Sequence, residues 1–224
     1  HPWSADNYDL SLEYYSSKGG LFSVGAFQKD IKDFFGQVVR LATLEDTEAF
    51  GLDPRYVGWR VTTSINIGNA RVTGVEFNVR HSLQGIGAWG RYFTAFLNGT
   101  KLRLEGSRQA DFNTFTPESM NGGITFSKRP FQLMAKWNYR GKRRLGSIPA
   151  LGPDAYEYHD YYKSVDLNAE YQIKNWLSFY VSTSDVFNAA KVTLRYGSAT
   201  PAYAKRYLTD YKGVSISMGV KGTF

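Results

Sequence analysis

The feature that most constrains this chain is an alternation of apolar and polar residues with a period of two. From Val214 to Phe224, every second residue is apolar or glycine, and those between them are polar, basic or glycine. Because successive side chains of a β-strand point to opposite faces, the pattern predicts a strand with one apolar and one polar face. Its length of roughly ten residues is what a tilted strand needs to cross a bilayer.

The same alternation recurs upstream and predicts about nine strands in all. The clearest examples lie at residues 9–15, 22–27, 75–80, 131–140, 165–171 and 177–184, with weaker runs at 92–98 and 122–127. The fold class that follows is all-β, with antiparallel strands ordered up and down along the chain.

The connections between these strands alternate between short and long. Short turns rich in Gly, Pro, Asn, Ser or Lys fall at residues 16–20, 128–130 and 172–175, and residues 81–90 form a longer version. Long polar loops are predicted at residues 34–57, 99–119, 141–161 and 189–210. Such loops are uncommon in a compact soluble domain but typical of outer-membrane barrels, which have short periplasmic turns and long external loops.

The composition separates two ways of crossing a membrane. No stretch reaches the roughly 18 uninterrupted apolar residues of a helical span, so a transmembrane helix is excluded. The mean hydropathy of -0.38 remains compatible with barrel strands, whose polar faces offset their lipid-facing residues. The alternative is a soluble β-sandwich, in which one face would form the core and the other would face water. Regularly unequal loops favour the barrel.

Aromatic residues, which make up 16% of the chain, provide a partly independent indication. They cluster near strand ends, as the two interfacial girdles of a membrane barrel do. Those near short-turn ends are Tyr14, Tyr15, Tyr92, Tyr171, Trp176 and Phe224; those near long-loop ends are Trp59, Trp137, Tyr139, Tyr161 and Tyr162.

Catalytic and metal-binding motifs are absent from the sequence. There is no cysteine, and the three histidines are too far apart to have metal-ligand spacing. No nucleophile elbow, phosphate-binding loop or zinc-protease motif occurs. We therefore predict a protein that is not an enzyme and binds no metal or cofactor. The net charge of +7 is spread over loops and alternate strand positions, which argues against nucleic-acid binding.

Five segments, in order, resemble the carboxy-terminal barrel of TonB-dependent outer-membrane receptors. They are PWSADNYDLSLEYY (residues 2–15), GLFSVGAFQKDIKDF (20–34), NIGNARVTGVEF (66–77), STSDVFNAAK (182–191) and YKGVSISMGVKGTF (211–224). The fourth departs from the family's Asn-Leu-Phe-Asn, because Asp185 and Val186 replace its first two residues.

The resemblance implies a location in the bacterial outer membrane and a 22-stranded barrel plugged by an amino-terminal domain. Residues 1–224 contain no recognisable plug or TonB-contacting box, so we expect a single barrel segment. The implied partners are outer-membrane lipid and lipopolysaccharide, the remainder of the barrel, the plug domain, the TonB complex and a small-molecule ligand. The implied function is uptake of a siderophore, cobalamin or oligosaccharide. The alternative is a passive porin-like or structural surface barrel.

Charged residues on the polar faces are expected to face the lumen. They are Asp9, Glu13, Lys29, Glu76, Arg80, Asp166 and Glu170. They would contact the plug or form a hydrated wall, and both alternatives stay open because exposed charge pairs contribute little individually. Glu76 stands out because it lies within the segment that resembles the family's Gly-x-Glu strand.

The external loops are expected to hold the ligand. A basic run and a neighbouring aromatic cluster supply the candidates Arg140, Lys142, Arg143, Arg144, Tyr156, Tyr158 and His159. Cations would attract an anionic ligand and aromatic rings would stack on a ring-bearing one. A solvated basic loop is the alternative. The resemblance further implies that Phe224 is the signal read by the outer-membrane insertion machinery.

Overall fold

A computed structural model describes residues 2–17, 19–106, 115–152 and 154–222, with all their side chains except those of residues 35–39 and 67. Phe224 therefore lies outside the described residues, and its predicted role stays a prediction. The strands are β1 (Ser4–Ser16), β2 (Gly20–Leu41), β3 (Arg60–Ser82), β4 (Phe93–Gly106), β5 (Glu118–Lys128), β6 (Phe131–Arg140), β7 (Arg143–Ser147), β8 (Tyr156–His159), β9 (Tyr162–Lys174), β10 (Leu177–Ser184), β11 (Lys191–Tyr196), β12 (Arg206–Asp210) and β13 (Ser215–Gly222). One α-helix, α1, spans Leu44–Ala49.

The strands form two sheets. A nine-stranded sheet has the order β1-β2-β3-β4-β5-β6-β9-β10-β13, and a four-stranded sheet has the order β12-β11-β8-β7. Each of the nine predicted strands overlaps one strand of the larger sheet, and the described pairings from β4 to β13 are antiparallel. The prediction of an all-β, up-and-down antiparallel arrangement is confirmed.

The register of the larger sheet separates polar from apolar side chains. Between β6 and β9, Lys136 pairs with Asp166, whereas Leu133 pairs with Ala169. Paired residues of a sheet project to the same face, so the alternation in each strand produces one polar and one apolar face. The polar face is linked by hydrogen bonds, as where Asn138 Nδ2 donates to Asp166 Oδ2 at 2.8 Å.

The apolar face is exposed. Ile216, Met218 and Val220 on β13 are 60%, 66% and 67% exposed, respectively. Among the described residues, the buried hydrophobic side chains are only those of Ile31, Ala42, Ala70 and Ala155. A soluble sandwich would bury such a face in its core, whereas a membrane wall presents it to lipid. No described helix is long and apolar enough to cross a membrane.

The chain divides into two compact units, which are described separately. The first comprises His1–Tyr8, Gln28–Thr73 and Leu104–Phe112, and the second comprises Asp9–Phe27, Gly74–Arg103 and Asn113–Phe224. The first contains α1, whose capping box joins Thr43 and Asp46: Asp46 N donates to Thr43 Oγ1 at 3.3 Å, and Thr43 N donates to Asp46 Oδ2 at 2.7 Å. Hydrogen bonds from Arg40 and then Thr43 hold the pKa of the Asp46 carboxyl well below its usual range.

The prediction that the four long connections are loops is wrong in part. β2 continues to Leu41 within the first of them, and β4 continues to Gly106 within the second. The third contains β7 and β8, and the fourth contains β11 and β12. These short strands pair with one another, outside the larger sheet. In β7, β8 and β12 neither face is uniformly apolar, so no alternation marks them. In β11, Val192 and Leu194 alternate with Lys191, Thr193 and Arg195, and the sequence prediction missed this short run.

We expect Met218→Arg to lower the free energy of unfolding and Ser217→Arg to leave it nearly unchanged, because these neighbours on β13 lie on different faces of the sheet. An arginine on the lipid side of a barrel strand costs about 2–4 kcal/mol near the bilayer centre and about 0–1 kcal/mol near its edges, whereas the polar side tolerates it. The measurement is the free energy of unfolding of the full-length protein in lipid vesicles. Equal losses in the two variants would contradict the assigned faces.

Candidate ligand-binding site

The four-stranded sheet, named here the loop sheet, is built from the two connections at residues 141–161 and 189–210. β8 lies between β7 and β11, so that Tyr158 pairs with Arg144 on one side and with Leu194 on the other. In the same way, His159 pairs with Arg143 and Thr193. Of the seven predicted ligand-binding residues, five lie on β7 and β8, Arg140 ends β6, and Lys142 lies between β6 and β7.

One face of the loop sheet, the tyrosine face, carries Tyr156, Tyr158 and Tyr196. The rings of Tyr158 and Tyr196 are stacked, with centroids 4.4 Å apart and planes inclined by 14°. Lys142 Nζ lies 5.3 Å from the Tyr158 ring and 4.9 Å from the Tyr196 ring, and Arg144 Cζ lies 4.5 Å from the Tyr156 ring. Burial, followed by the nearby Tyr196, raises the pKa of the Tyr158 hydroxyl. The face therefore alternates aromatic rings with cations.

The opposite face pairs Arg143 with His159. Arg143 Nε and Nη2 lie 3.3 and 3.0 Å from His159 Nδ1. A guanidinium can only donate hydrogen bonds, so Nδ1 is the acceptor and the proton of a neutral ring lies on Nε2. Burial first, and then the positive charges of Arg143 and Arg140, lower the pKa of His159. The imidazole is therefore held in its neutral form.

A pocket of about 370 Å³, named here the basic pocket, lies against this opposite face. It is lined by Arg140, Arg143, His159, Asp160, Tyr162, Lys191, Val192, Thr193, Leu208, Asp210 and Lys212. Arg140, Arg143 and His159 were predicted from the sequence. Lys191, on β11, and Lys212, which lies between β12 and β13, were not. The available signal was the series of basic residues from Lys191 to Lys212, which is spread too widely to form a run.

Two polar interactions hold the loop sheet together. Arg195 Nε on β11 donates to Glu157 Oε2 on β8 at 2.8 Å, and its guanidinium lies 3.4 Å from the Tyr207 ring of β12. The Asp154 carboxylate accepts from Ser198 N at 2.7 Å, and hydrogen bonds from Ser198 lower the pKa of this carboxyl. A Cβ at Gly197 would lie 2.8 Å from Asp154 Oδ1, so glycine permits this close approach. The two connections are thus joined to each other.

The residues predicted to face the lumen lie on strands of the larger sheet, and four of them have described surroundings. Glu170 forms an ion pair with Lys221, and Asp166 accepts hydrogen bonds from Asn138 and from Asp185 N. Glu13 and Glu76 line a polar pocket of about 580 Å³.

The Glu76 side chain rests against Gly25, where a Cβ would lie 3.2 Å from its Cγ. Asp9, Lys29 and Arg80 lie on β1, β2 and β3. That these residues face a lumen or a plug stays a prediction. Within the described residues no group of three or more histidine or acidic side chains is placed to hold a metal ion.

Comparisons with known proteins identify the fold. The chain matches the family profile described as "TonB dependent receptor-like, beta-barrel" over residues 1–182. No curated protein sequence matches it.

Several solved structures are similar. The copper transporter OprC has a TM-score of 0.67 and 13% identity, with 100% of this chain and 32% of that chain covered. The siderophore receptor PirA from Acinetobacter baumannii has a TM-score of 0.63 and 15% identity, with 100% and 32% covered. The ferric yersiniabactin uptake receptor FyuA from Yersinia pestis has a TM-score of 0.63 and 14% identity, with 99% and 30% covered. The chain spans about a third of the length of these proteins, and at such identities the likeness concerns the fold alone.

The lowered pKa of His159 predicts that acid weakens the loop sheet. At pH values below about 6.5 but above the pKa of His159 in the folded protein, this histidine is protonated in the unfolded chain and neutral in the folded one. The free energy of unfolding therefore falls as the pH drops through this range. We expect the hydrogen-exchange protection of β7 and β8 in the full-length protein to decrease from about pH 7.5 to about pH 5.5, the two sides of that value.

The matched control is His159→Gln, which keeps an acceptor for Arg143 and cannot titrate in this range. In this variant the pH-dependent loss of protection should disappear. An unchanged loss in the variant, or a His159 pKa at its ordinary value by NMR, would contradict the assignment.

Proposed function

Because the chain belongs to the TonB-dependent receptor-like β-barrel family, we propose that it forms part of the wall of a bacterial outer-membrane receptor that takes up a scarce nutrient. The apolar face of the nine-stranded sheet would contact lipid. The polar face would line the lumen, where the remainder of the barrel and a plug domain complete the receptor. Energy for transport would come from the TonB complex through parts of the receptor other than this segment.

The observation that carries this proposal is the position of the loop sheet. Its strands are inserted between β6 and β9 and between β10 and β13, and the junctions fall at Arg140, Tyr162, Ser184 and Ser215. In the antiparallel register, Arg140 pairs with Tyr162, and Ser184 pairs with Ser215. All four junctions therefore lie at the same end of the larger sheet, opposite the short turns. This arrangement suits external loops that capture a ligand above a barrel wall.

We propose that the loop sheet contacts a small-molecule nutrient such as a ferric siderophore, cobalamin or an oligosaccharide. The tyrosine face offers rings that stack on a flat or sugar-like ligand, with Lys142 and Arg144 beside them. Arg140, Arg143 and His159 offer donors on the opposite side. The structurally similar PirA is a siderophore receptor and FyuA is a ferric yersiniabactin uptake receptor, which supports a siderophore as the first candidate.

The lumen-facing charges have a separate proposed role. Asp9, Glu13, Lys29, Glu76, Arg80, Asp166 and Glu170 would hydrate the wall or bind the plug. Glu76 is the first candidate for a plug contact, because its carboxylate lines a polar pocket and has no salt bridge among the described residues. Lipopolysaccharide and lipid would surround the other face.

Energised uptake separates this proposal from a passive barrel. We expect a strain that expresses the full-length protein to accumulate one labelled member of a panel of ferric siderophores, cobalamin and oligosaccharides. Accumulation should saturate with concentration and disappear in a strain that lacks TonB, because plug movement needs that complex.

Two controls make the result specific. Deletion of the gene should abolish accumulation, and expression from a plasmid should restore it. Flux that rises in proportion to concentration and persists without TonB would instead establish a passive barrel.

A further inference from the structure

We propose that the basic pocket binds a small oxyanion with two or more negative charges, of the polycarboxylate or phosphate-ester class. The inference deepens the proposed capture function and rests on it, since the anion would be part of the captured nutrient. It concerns the side of the loop sheet opposite the tyrosine face, and it assigns to this pocket the charged portion of the ligand.

The pocket brings together four cations that lack carboxylate partners. Arg140, Arg143, Lys191 and Lys212 line it, and none of them forms an ion pair within the part of the chain that the structure describes. The two carboxylates of the lining belong to Asp160 and Asp210, so four positive charges face two negative ones. Like charges held together repel one another, and a multivalent anion would relieve that repulsion.

Arg140 supplies the clearest sign of a missing acceptor. Its Nε atom is buried and has no hydrogen-bond partner among the described groups. Its guanidinium lies 5.8 Å from the Tyr162 ring, and Lys191 Nζ lies 5.1 Å from the same ring, so the aromatic ring is shared by two cations. A buried charged donor without an acceptor is unfavourable, so the protein itself leaves part of the hydrogen-bonding capacity of Arg140 unused, and the positive charge of its guanidinium remains available to an anion in the pocket.

His159 adds a donor that carries no charge of its own. Its Nδ1 accepts from Arg143, which orients the guanidinium and leaves the ring proton on Nε2. Arg143 is thereby held without a carboxylate and keeps its full charge for a ligand. Guanidinium groups bind carboxylate and phosphate oxygens in a planar, bidentate manner, which suits both members of the proposed class.

The size of the pocket limits how large its ligand can be, and its position limits the side from which the ligand approaches. A volume of about 370 Å³ lies at the lower end of small-molecule sites and admits a molecule of the size of citrate or pyrophosphate. Arg140 also shares the polar face of β6 with Lys136 and Asn138, because the three residues are spaced by two along the strand. It therefore lies on the side away from the exposed apolar face. A ligand that approaches from the polar side reaches the pocket, whereas the phosphates of surrounding lipid lie on the other side.

The test compares two arginines of the loop sheet, one that lines the basic pocket and one that does not. Binding of citrate and of pyrophosphate to the full-length protein in detergent would be measured by isothermal titration calorimetry, for the wild type, Arg143→Gln and Arg206→Gln. Arg206 is exposed on β12 and lies outside the lining of the pocket. Both variants lose one positive charge, so the net charge is matched. We expect saturable binding by the wild type, a loss of about tenfold or more in Arg143→Gln, and a change of less than about twofold in Arg206→Gln. The preferred probe, citrate or pyrophosphate, identifies the member of the class.

A second pair of variants shows whether a loss of binding in Arg143→Gln comes from the pocket or from a local folding defect at that position. Lys191→Gln removes a positive charge that lines the pocket. Lys205→Gln removes a positive charge outside the pocket, whose Nζ atom lies 5.0 Å from the centroid of the Tyr196 ring on the tyrosine face. We expect only Lys191→Gln to weaken binding, again by about tenfold, as for loss of a hydrogen bond to a charged group.

Equal losses in both members of a pair would overturn the proposal. A wild type that binds neither probe would overturn it as well. The binding assay needs no TonB complex. Uptake that proves independent of TonB would therefore reject the proposed function while pocket-specific binding still stood.

Discussion

Backbone pairing between neighbouring strands is the interaction on which this structure depends. In hydrocarbon no water is present to satisfy a free N–H or C=O group, so each strand must hydrogen-bond to the next. This pairing fixes the register of the strands, and the register places polar residues beside polar ones and apolar residues beside apolar ones. Lys136 lies beside Asp166, and Leu133 lies beside Ala169. A shift of one residue would exchange the two faces. The alternation in sequence, the separation of the faces and the exposed apolar surface therefore have one physical cause.

The loop sheet repeats the same antiparallel pairing outside the larger sheet. In the external position proposed for it, water would surround it and neither face need be apolar. Stacking between Tyr158 and Tyr196 and the hydrogen bonds that Arg195 donates to Glu157 and Ser198 N donates to Asp154 add to its backbone pairing. Two faces of different chemistry result. One alternates rings with cations, and the other gathers cations around His159.

The nine strands of the larger sheet could be predicted from the sequence because apolar and polar residues alternate along each of them. On β13, for example, the apolar Ile216 and Met218 flank the polar Ser217. The sequence did not predict β8, in which Tyr156 and Tyr158 alternate with Glu157 and His159 and neither face is aliphatic. Nor did it predict the basic pocket. Arg143 and Lys191 lie in different connections, and only the pairing of β8 with β11 brings them together. The basic run at residues 140–144 indicated one half of that pocket and no more.

The central claim is that the two faces of the sheet meet different solvents. Nitroxide labels at single cysteines along β13 test it most directly: Ser215→Cys, Ile216→Cys, Ser217→Cys, Met218→Cys, Val220→Cys and Lys221→Cys, each in the full-length protein in lipid vesicles. Collision of the labels with oxygen reports lipid, and collision with a water-soluble nickel chelate reports water. We expect oxygen access at Ile216, Met218 and Val220, and chelate access at Ser215, Ser217 and Lys221. Uniform access along the strand, or the reverse alternation, would contradict it.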